Sequence, residues 1–404
     1  MEELFTLGTL FVSDFLKEEE SPAYQPVELK LLFDEDTTEV RLETPVDPNH
    51  MYGRYWYRSG TNATMTTELG EIVSSIQKSK KLNDGDVWLD IASNDGTLLS
   101  QVSKNLVRIG IDPADDSFVI ESAEHADSIV QDFFSAAAYR SVSNLDANVV
   151  TCIAMFYDLD NPDPFLNEVH NVMADDGLFV LQMSYSPLMV RQTAFDNICH
   201  EHIFYYTLTT IKARLEKAGF VIVDCQLNDV NGGSFRVYAM KRSGDITKFG
   251  SQPYRDVCKF RIDSLLRFEE LEGWNSKEKW LEFFEQIQEL KEETVAFIKS
   301  VKVEGKSVWG YGASTKGNTL LQYFGLDSTL IDGIAERSPY KYGLRTVGTD
   351  IPIESEEVMR AANPDYLLVL PWHFISEFVQ REQEYLKAGG KFIVPCPEFK
   401  VIGA

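Results

Sequence analysis

The chain has 404 residues, of which 44% are hydrophobic, and 63 acidic residues against 38 Lys and Arg give a formal net charge of −25. A net charge of this sign disfavours non-specific binding to nucleic acid and to anionic membrane surfaces. No apolar run approaches the ~20 residues that cross a bilayer, and the amino terminus lacks the basic start of a signal peptide. The five cysteines are scattered without CxxC spacing, so we expect reduced thiols and a cytoplasmic protein of two or three domains.

A β-rich start is followed by alternating strand and helix patterns. Residues 1–60 predict short strands and turns, and a helix is predicted at 64–81. The alternation that follows indicates a parallel sheet covered by helices, which is an α/β fold. The predicted strands of this region are 86–91, 107–112, 128–131, 147–154 and 177–183, with a helix at 163–174.

The first of these strands runs into a turn of small residues, Asp90-Ile-Ala-Ser-Asn-Asp-Gly96, and then into a helix. Strand, tight turn and helix amino terminus form the ligand crevice of doubly wound sheets, and an acidic residue at the tip of the next strand binds ribose hydroxyls. A turn with one glycine disfavours a dinucleotide, whereas anionic side chains suit the positive sulfur and amino group of S-adenosylmethionine. The candidate cofactor-binding residues are Asp90, Ala92, Asn94, Gly96, Asp112, Asp132 and Phe133.

Two of only six histidines stand in the segment Cys199-His-Glu-His202, one residue apart with a carboxylate between them. Histidine titrates near neutral pH and commonly transfers protons, and a carboxylate can orient it. The i, i+2 spacing differs from the i, i+4 pair of helical zinc sites and suits two sides of an extended segment. By itself, the pattern leaves a solvated turn and a reactive site both open.

The second half predicts a connecting helical region and another α/β unit. A helix near 207–218 precedes strands at 220–227 and 234–241, joined through Asn231-Gly-Gly-Ser234, a turn that allows close backbone approach. An apolar stripe with 3-4 spacing between Trp280 and Phe297 indicates a packing face or dimer seam within helical residues 253–300. The elements predicted after it are strands 306–310, 330–335, 365–370 and 391–395 and helices 316–324 and 374–387.

Gly310-x-Gly312 follows a predicted strand, and Glu336 ends the next one. This arrangement half-resembles a dinucleotide fingerprint, although the third glycine is Gly317 and the spacing departs from GxGxxG. An NAD(P)-linked oxidoreductase or epimerase is therefore the main competing function.

Several ordered motifs resemble a known family. They are Asp90-Ile-Ala-Ser-Asn-Asp-Gly-Thr-Leu-Leu99, Asp132-Phe-Phe134, Phe195-Asp-Asn-Ile-Cys-His-Glu-His202, Asn231-Gly-Gly-Ser-Phe-Arg-Val-Tyr238, Gly310-Tyr-Gly-Ala-Ser-Thr-Lys-Gly-Asn318, Pro339-Tyr-Lys-Tyr-Gly343, Gly348-Thr-Asp-Ile-Pro352 and Gly389-Gly-Lys-Phe-Ile-Val-Pro-Cys-Pro397. Together they resemble the sugar C-methyltransferases that act on nucleotide-linked keto-deoxysugars. The resemblance implies a small amino-terminal module at 1–63, a class I methyltransferase core with a Rossmann-like fold at 64–245 and a helical connector at 246–300. It further implies a carboxy-terminal α/β domain at 301–404 that closes over the substrate instead of binding NAD.

The resemblance also implies roles for residues. His202 matches the family's base, which removes a proton next to a ketone. Glu201 orients the imidazole or binds a substrate hydroxyl, and Tyr57 or Tyr55 stabilises the enolate. The further substrate-binding candidates are His200 and, for the diphosphate, Lys316, Arg337, Lys341 and Arg345. We expect S-adenosylmethionine as methyl donor, S-adenosylhomocysteine as product, a small-molecule substrate, and a monomer or homodimer.

Two departures from the family pattern concern cysteine. The family's amino-terminal module holds zinc with cysteines, yet no cysteine precedes Cys152, so we expect no zinc there. Cys199 stands where sugar-modifying members often carry tyrosine. Methylation at oxygen or nitrogen of another small molecule, and a non-catalytic binding protein that keeps the fold, are the further alternatives.

Overall fold

The computed structural model describes residues 1–47, 51 and 56–403. Tyr55 therefore lies outside the described residues. The strands of the described chain are β1 (Glu2–Leu10), β2 (Phe15–Leu16), β3 (Val27–Phe33), β4 (Val40–Leu42), β5 (Val87–Ile91), β6 (Val107–Ile111), β7 (Ser128–Val130), β8 (Ala147–Ile153), β9 (Met173–Ser184), β10 (Phe204–Tyr205), β11 (Phe220–Asn228), β12 (Ser234–Lys241), β13 (Val308–Tyr311), β14 (Ile334–Glu336), β15 (Arg345–Thr346), β16 (Ile353–Ser355), β17 (Tyr366–Val369), β18 (Lys391–Val394) and β19 (Lys400–Ile402).

The α-helices of the same residues surround these strands. They are α1 (Ala63–Ser79), α2 (Thr97–Gln101), α3 (Asp116–Ala123), α4 (Ala136–Arg140), α5 (Pro162–Val172), α6 (Ser186–Arg191), α7 (Leu208–Lys217), α8 (Gln252–Glu272), α9 (Glu278–Val303), α10 (Thr315–Phe324), α11 (Glu356–Ala362), α12 (Ile375–Arg381) and α13 (Gln383–Lys387). In the described parts of the chain, no helix is both long enough and apolar enough to cross a bilayer.

The central sheet has the strand order β11-β12-β9-β8-β5-β6-β7. Strands β5 to β9 run parallel, and β12 and β11 add an antiparallel hairpin at one edge. Every residue of β5 is buried, as expected for a parallel strand covered on both faces. This doubly wound sheet confirms the predicted class I methyltransferase fold.

The carboxy-terminal sheet has the order β16-β14-β13-β17-β18-β19, and only β19 in it is antiparallel. From β13 the chain continues to β14 and β16 on one side and then returns to β17 on the other side, so the strand order reverses at β13. The turn after β13 and the start of α10 therefore lie at the ligand-binding edge of this second α/β unit, which confirms its predicted class.

The amino-terminal sheet has the order β1-β3-β4-β10 and takes its fourth strand from residues just after the His-Glu-His segment. The short β2 pairs with β15 of the carboxy-terminal unit, Leu16 opposite Arg345. Pairing covers strand edges that would otherwise expose unpaired backbone groups. Strands β4 and β2 of the amino-terminal region are thus paired with β10 and with β15 of the carboxy-terminal unit.

Helices α8 and α9 occupy the predicted helical region and are separated by a turn at Gly273, whose φ of 78° ends α8. The predicted stripe of α9 is buried from Trp280 to Thr294, and Phe284 beside it stacks on Phe5 of β1 at 4.5 Å between ring centroids. Of the two interpretations of the stripe, the structure supports the packing face within one chain.

A buried ion pair joins the first helix of the core to the sheet. Arg236 on β12 donates to Glu68 on α1 at 2.6 Å and to Gln182 on β9 at 2.8 Å. The side chains of Arg236 and Glu68 are only 7% and 9% exposed. The position of α1, which forms one wall of the cavity described next, therefore depends on a desolvated pair.

Candidate active site

A cavity of about 320 Å³ opens at the carboxyl ends of β5, β6, β7 and β8. The chain leaves β5 toward β6 on one side and returns to β8 on the other, so the cavity lies at the switch point of the sheet. Ligands of open α/β folds bind at this position.

The turn after β5 is held in an uncommon conformation. Ala92 and Asn94 have φ values of 58° and 51°, which cost side-chain-bearing residues energy and persist only where surrounding contacts impose them. The Asn94 backbone N–H donates to Asp112 at 2.8 Å, while its side chain bonds Tyr57 O and Ser59 N. The turn is therefore rigid and aims its backbone into the cavity.

Two carboxylates give this end of the cavity a negative potential. Asp90 accepts a hydrogen bond from the Thr151 hydroxyl at 2.6 Å, and burial raises the pKa of Asp90 to about 7. Asp112 accepts from the backbone N–H groups of Asn94 and Ala114, and burial raises the pKa of Asp112 as well. Buried carboxyls of this kind gain from a cationic ligand, which restores the charged form.

The imidazole of His202 stands at the other end of the cavity. Its Nδ1 lies 2.7 Å from the carbonyl oxygen of Asn197, which only accepts, so Nδ1 carries the proton and Nε2 is the free acceptor. The ring contacts Tyr157 at 4.2 Å between centroids. Burial, reinforced by Lys316, lowers the pKa of His202 to about 3, so the imidazole is neutral near pH 7.

The His-Glu-His segment is a turn, and the predicted extended conformation is wrong. The N–H of His202 donates to the carbonyl of Cys199 at 3.1 Å, which closes a four-residue turn. The turn directs Glu201 and His202 into the cavity together and His200 away from it. Burial raises the pKa of Glu201, which Lys316 opposes.

Cys199, Glu201 and His202 bring their side-chain donor atoms within 4.8 Å of one another, the one such group of metal-binding side chains among the described residues. Two features oppose a divalent cation there. Burial raises the pKa of the Cys199 thiol, and the Lys316 ammonium acts on all three side chains. We assign no metal to this group, and a metal-free enzyme remains a prediction.

Lys316 brings the carboxy-terminal unit to the cavity. Its Nζ donates to the Asn197 side-chain oxygen at 2.6 Å. Asn197 thus contacts Lys316 through its side chain and His202 through its backbone carbonyl. The first turn of α10 is held by Ser13, which donates to the Thr315 carbonyl at 2.9 Å. One cavity is therefore lined by both α/β units.

The glycine turn of the carboxy-terminal unit is filled by protein. A Cβ at Gly312 would lie 2.7 Å from Pro371, and one at Gly317 would lie 2.9 Å from Leu370. The Glu336 carboxylate accepts from the backbone N–H groups of Ala313, Arg337 and Ser338. The two glycines are therefore needed for close packing, and the Glu336 carboxylate already binds backbone N–H groups.

Comparison with known proteins agrees with this geometry. Residues 62–224 match the methyltransferase domain family, and residues 229–397 match the C-methyltransferase C-terminal domain family. The chain is 28% identical to the C-methyltransferase NovU of Streptomyces niveus over 367 residues, 90% of this chain and 85% of that protein. The domain matches identify an S-adenosylmethionine-dependent methyltransferase, and the carboxy-terminal match and NovU show that it is similar to C-methyltransferases.

Solved structures with partial similarity to this chain include methyltransferases. Magnesium protoporphyrin IX methyltransferase of Synechocystis PCC 6803, solved with bound SAH, matches 47% of this chain and 90% of its own, with 13% identity and a TM-score of 0.36. An S-adenosylmethionine-dependent methyltransferase of Clostridium acetobutylicum matches 46% and 94%, with 12% identity and a TM-score of 0.34.

The cofactor of this methyltransferase is S-adenosylmethionine, and the cavity suits it. Asp90 and Asp112 offer buried carboxylates to a ligand that carries an ammonium and a sulfonium group, and the strained turn brings backbone close to it. Most of the predicted site residues line this one cavity: Tyr57, Asp90, Ala92, Asn94, Asp112, Phe133, Glu201, His202 and Lys316.

Three residues predicted to bind ligand in the core lie outside the cavity lining. Gly96 starts α2 with a φ of 78°, and a Cβ there would lie 2.8 Å from the Ser122 backbone, so it serves helix packing. Asp132 is exposed and accepts from the N–H of Phe133 at 2.7 Å. His200 is buried and bonds the Val27 carbonyl of the amino-terminal sheet at 3.0 Å.

The predicted diphosphate ligands other than Lys316 also lie elsewhere. Lys341 is buried and donates to the Ala313 carbonyl at 2.7 Å. Arg337 is largely exposed, 3.6 Å from Glu377, and Arg345 pairs with Asp350. Each of these basic residues has an acceptor within the carboxy-terminal unit, so its positive charge is already paired or hydrogen-bonded within the protein.

Several lining residues were missed. Two of them, Pro113 and Ala114, follow β6, and two more, Ala154 and Met155, follow β8. Their positions just after strands at the switch point could have predicted that they line the cavity. Asn197 acts through its backbone carbonyl and its amide, for which the sequence carried no signal.

Replacing Asp112 by alanine is expected to weaken S-adenosylmethionine binding by about 1–3 kcal/mol, because buried hydrogen bonds to a charged acceptor are lost. Titration calorimetry measures the change, with the exposed Asp116→Ala on the following helix as control. Equal affinities for the two variants would contradict a cofactor role for Asp112.

Binding of S-adenosylmethionine is expected to strengthen as pH rises from about 6 to about 8. The pKa of Asp90 is about 7 without ligand, and the cationic ligand favours the deprotonated form, so binding releases a proton. Calorimetry in buffers of different ionisation enthalpy counts that proton. Asp90→Asn should flatten the dependence; an equal slope in both proteins would assign it to another group.

Proposed function

We propose that this methyltransferase methylates carbon in a nucleotide-linked keto-deoxysugar or a related keto substrate. The observation that carries the proposal is the shared cavity, which His202 lines with an unprotonated Nε2 and which Asp90 and Asp112 line at the cofactor end. The motif resemblance to sugar C-methyltransferases supports the substrate class. The five cysteines are buried free thiols, which supports a reducing, cytoplasmic location.

Carbon becomes nucleophilic when a proton next to a ketone is removed. His202 is the proposed base, because its Nδ1–H is committed to Asn197 and its Nε2 accepts the proton. S-adenosylmethionine, when bound, supplies an electrophilic methyl group and leaves as S-adenosylhomocysteine. The enclosing walls align the two reacting carbons, which lowers the entropic part of the barrier.

Glu201 is the proposed support of this base. It lines the cavity on the same side of the turn as His202, and its carboxylate is positioned to stabilise the imidazolium that forms. Tyr57 also lines the cavity and offers a hydroxyl to the substrate. The carboxy-terminal unit would close over the nucleotide end of the substrate. We propose to divide the chain into an amino-terminal module at 1–63, a core at 64–245, a connector at 246–300 and a carboxy-terminal domain at 301–404.

A mass-spectrometric screen tests the proposal. The protein and S-adenosylmethionine are incubated with nucleotide-linked keto-sugars, matched reduced sugars and simple phenols and amines. We expect a mass gain of one methylene on a keto-sugar, placed on carbon by NMR. Methylation of a reduced sugar, a phenol or an amine instead would favour the O- or N-methyltransferase alternative.

A further inference from the structure

Lys316 has an environment that differs from an ordinary structural lysine. It is partly buried and lines the cavity with Glu201 and His202. Its Nζ donates a hydrogen bond to the neutral amide oxygen of Asn197. Within the described residues, no ion pair within 4.0 Å includes it. An ammonium has three N–H donors, so donors remain for a ligand in the cavity.

We propose that Lys316 donates a hydrogen bond to the ketone oxygen of the substrate and stabilises the enolate that forms there. This inference rests on the proposed function, because it requires a keto substrate and deprotonation at carbon. A fixed cation aimed at the atom where negative charge develops is among the strongest catalytic devices.

The electron balance requires such a partner. When Nε2 of His202 takes the proton, the C–H bonding pair becomes the π bond of C=C and the carbonyl π pair moves to oxygen, which gives the enolate. The Lys316 ammonium bonds that oxygen and keeps its own proton. As the enolate pair forms the new C–C bond, the pair of the broken S–CH3 bond stays on sulfur, the carbonyl is restored and the Lys316 hydrogen bond weakens.

The weak basicity of His202 gives a second reason. Burial and Lys316 lower the pKa of His202 to about 3. A base of that strength removes a carbon-bound proton efficiently only where the resulting anion is strongly stabilised. Lys316, which lowers the pKa of His202, then also lowers the pKa of the C–H proton next to the ketone.

The position of Lys316 fits a carbonyl better than a diphosphate. Glu201, whose carboxyl feels the Lys316 charge, lies in the same part of the cavity, and a doubly charged diphosphate would be repelled by that carboxylate. A neutral ketone meets no such repulsion. The held first turn of α10 also keeps Lys316 close to the base instead of at the cavity mouth.

Hydrogen exchange without methyl donor tests this role. The protein is mixed in deuterium oxide with a thymidine-diphosphate-linked 4-keto-6-deoxyglucose, or with the keto-sugar found active in the screen, and α-carbon deuteration is followed by NMR. Lys316→Met should slow exchange by about 10²-fold, the cost of losing one oxyanion donor. Lys316→Arg, which keeps the charge, should recover a measurable part, and S-adenosylmethionine affinity should stay unchanged in both.

The outcomes separate the inference from the proposed function. Exchange at the wild-type rate in Lys316→Met would overturn the inference and leave His202 as base. No exchange in the wild-type protein with any keto-sugar would overturn the proposed function and the inference with it. Lys387→Met, an exposed lysine of the same unit, is the matched control and should exchange normally. If Lys316→Met does not fold, Lys316→Gln takes its place under the same criteria.

Discussion

Replacing His202 by glutamine is expected to lower methyl transfer by about 10²–10⁴-fold, the usual contribution of a general base. Glutamine retains a donor for the Asn197 carbonyl but offers no basic nitrogen to the cavity. Binding of S-adenosylmethionine should persist, because the carboxylates that suit it belong to β5 and β6. Steady-state rates and calorimetry measure the two effects separately.

His200→Gln is the control for this variant. His200 belongs to the same turn, but its Nε2 bonds the Val27 carbonyl outside the cavity, so glutamine should preserve most activity. Comparable losses in both variants would mean that the turn, and not the imidazole of His202, is what methyl transfer requires. Persistent α-carbon exchange in His202→Gln would move the base to Glu201.

Replacing Glu68 by alanine is expected to lower the free energy of unfolding by about 3–5 kcal/mol, because Arg236 would be left charged and buried without its partner. Gln182 alone cannot neutralise that charge. Urea unfolding followed by tryptophan fluorescence measures the loss.

The exposed Glu71 lies one turn further along α1 and provides the matched control. Glu71→Ala should change stability by less than about 0.5 kcal/mol, as is usual for exposed positions. A small effect of Glu68→Ala would mean that water or another acceptor reaches Arg236.

The α/β fold and the cofactor end of the cavity were accessible from sequence because both depend on local order. Strands β5 and β6 were predicted within about one residue, and their polar ends carry Asp90 and Asp112 into one crevice wherever parallel strands lie side by side. Only the fold's regularity was needed for that inference.

The catalytic end depends on contacts between residues far apart in sequence, which spacing cannot reveal. The turn at Cys199–His202 is held by the Val27 carbonyl on His200 and the Asn197 carbonyl on His202. The i, i+2 spacing alone predicts an extended segment, in which Glu201 would point to the side opposite to His202. The burial of Lys341 escaped prediction for the same reason, since its acceptor at Ala313 lies 28 residues away.

The pairing of β2 with β15 also bears on how the chain is made. Leu16 leaves the ribosome early, yet its partner Arg345 is added about 330 residues later. At about 5–20 residues per second, the amino-terminal strands wait roughly 15 to 65 seconds for that partner. During synthesis the apolar face of β1 has no α9 to cover it, so nascent chains should depend on chaperones until α9 has emerged.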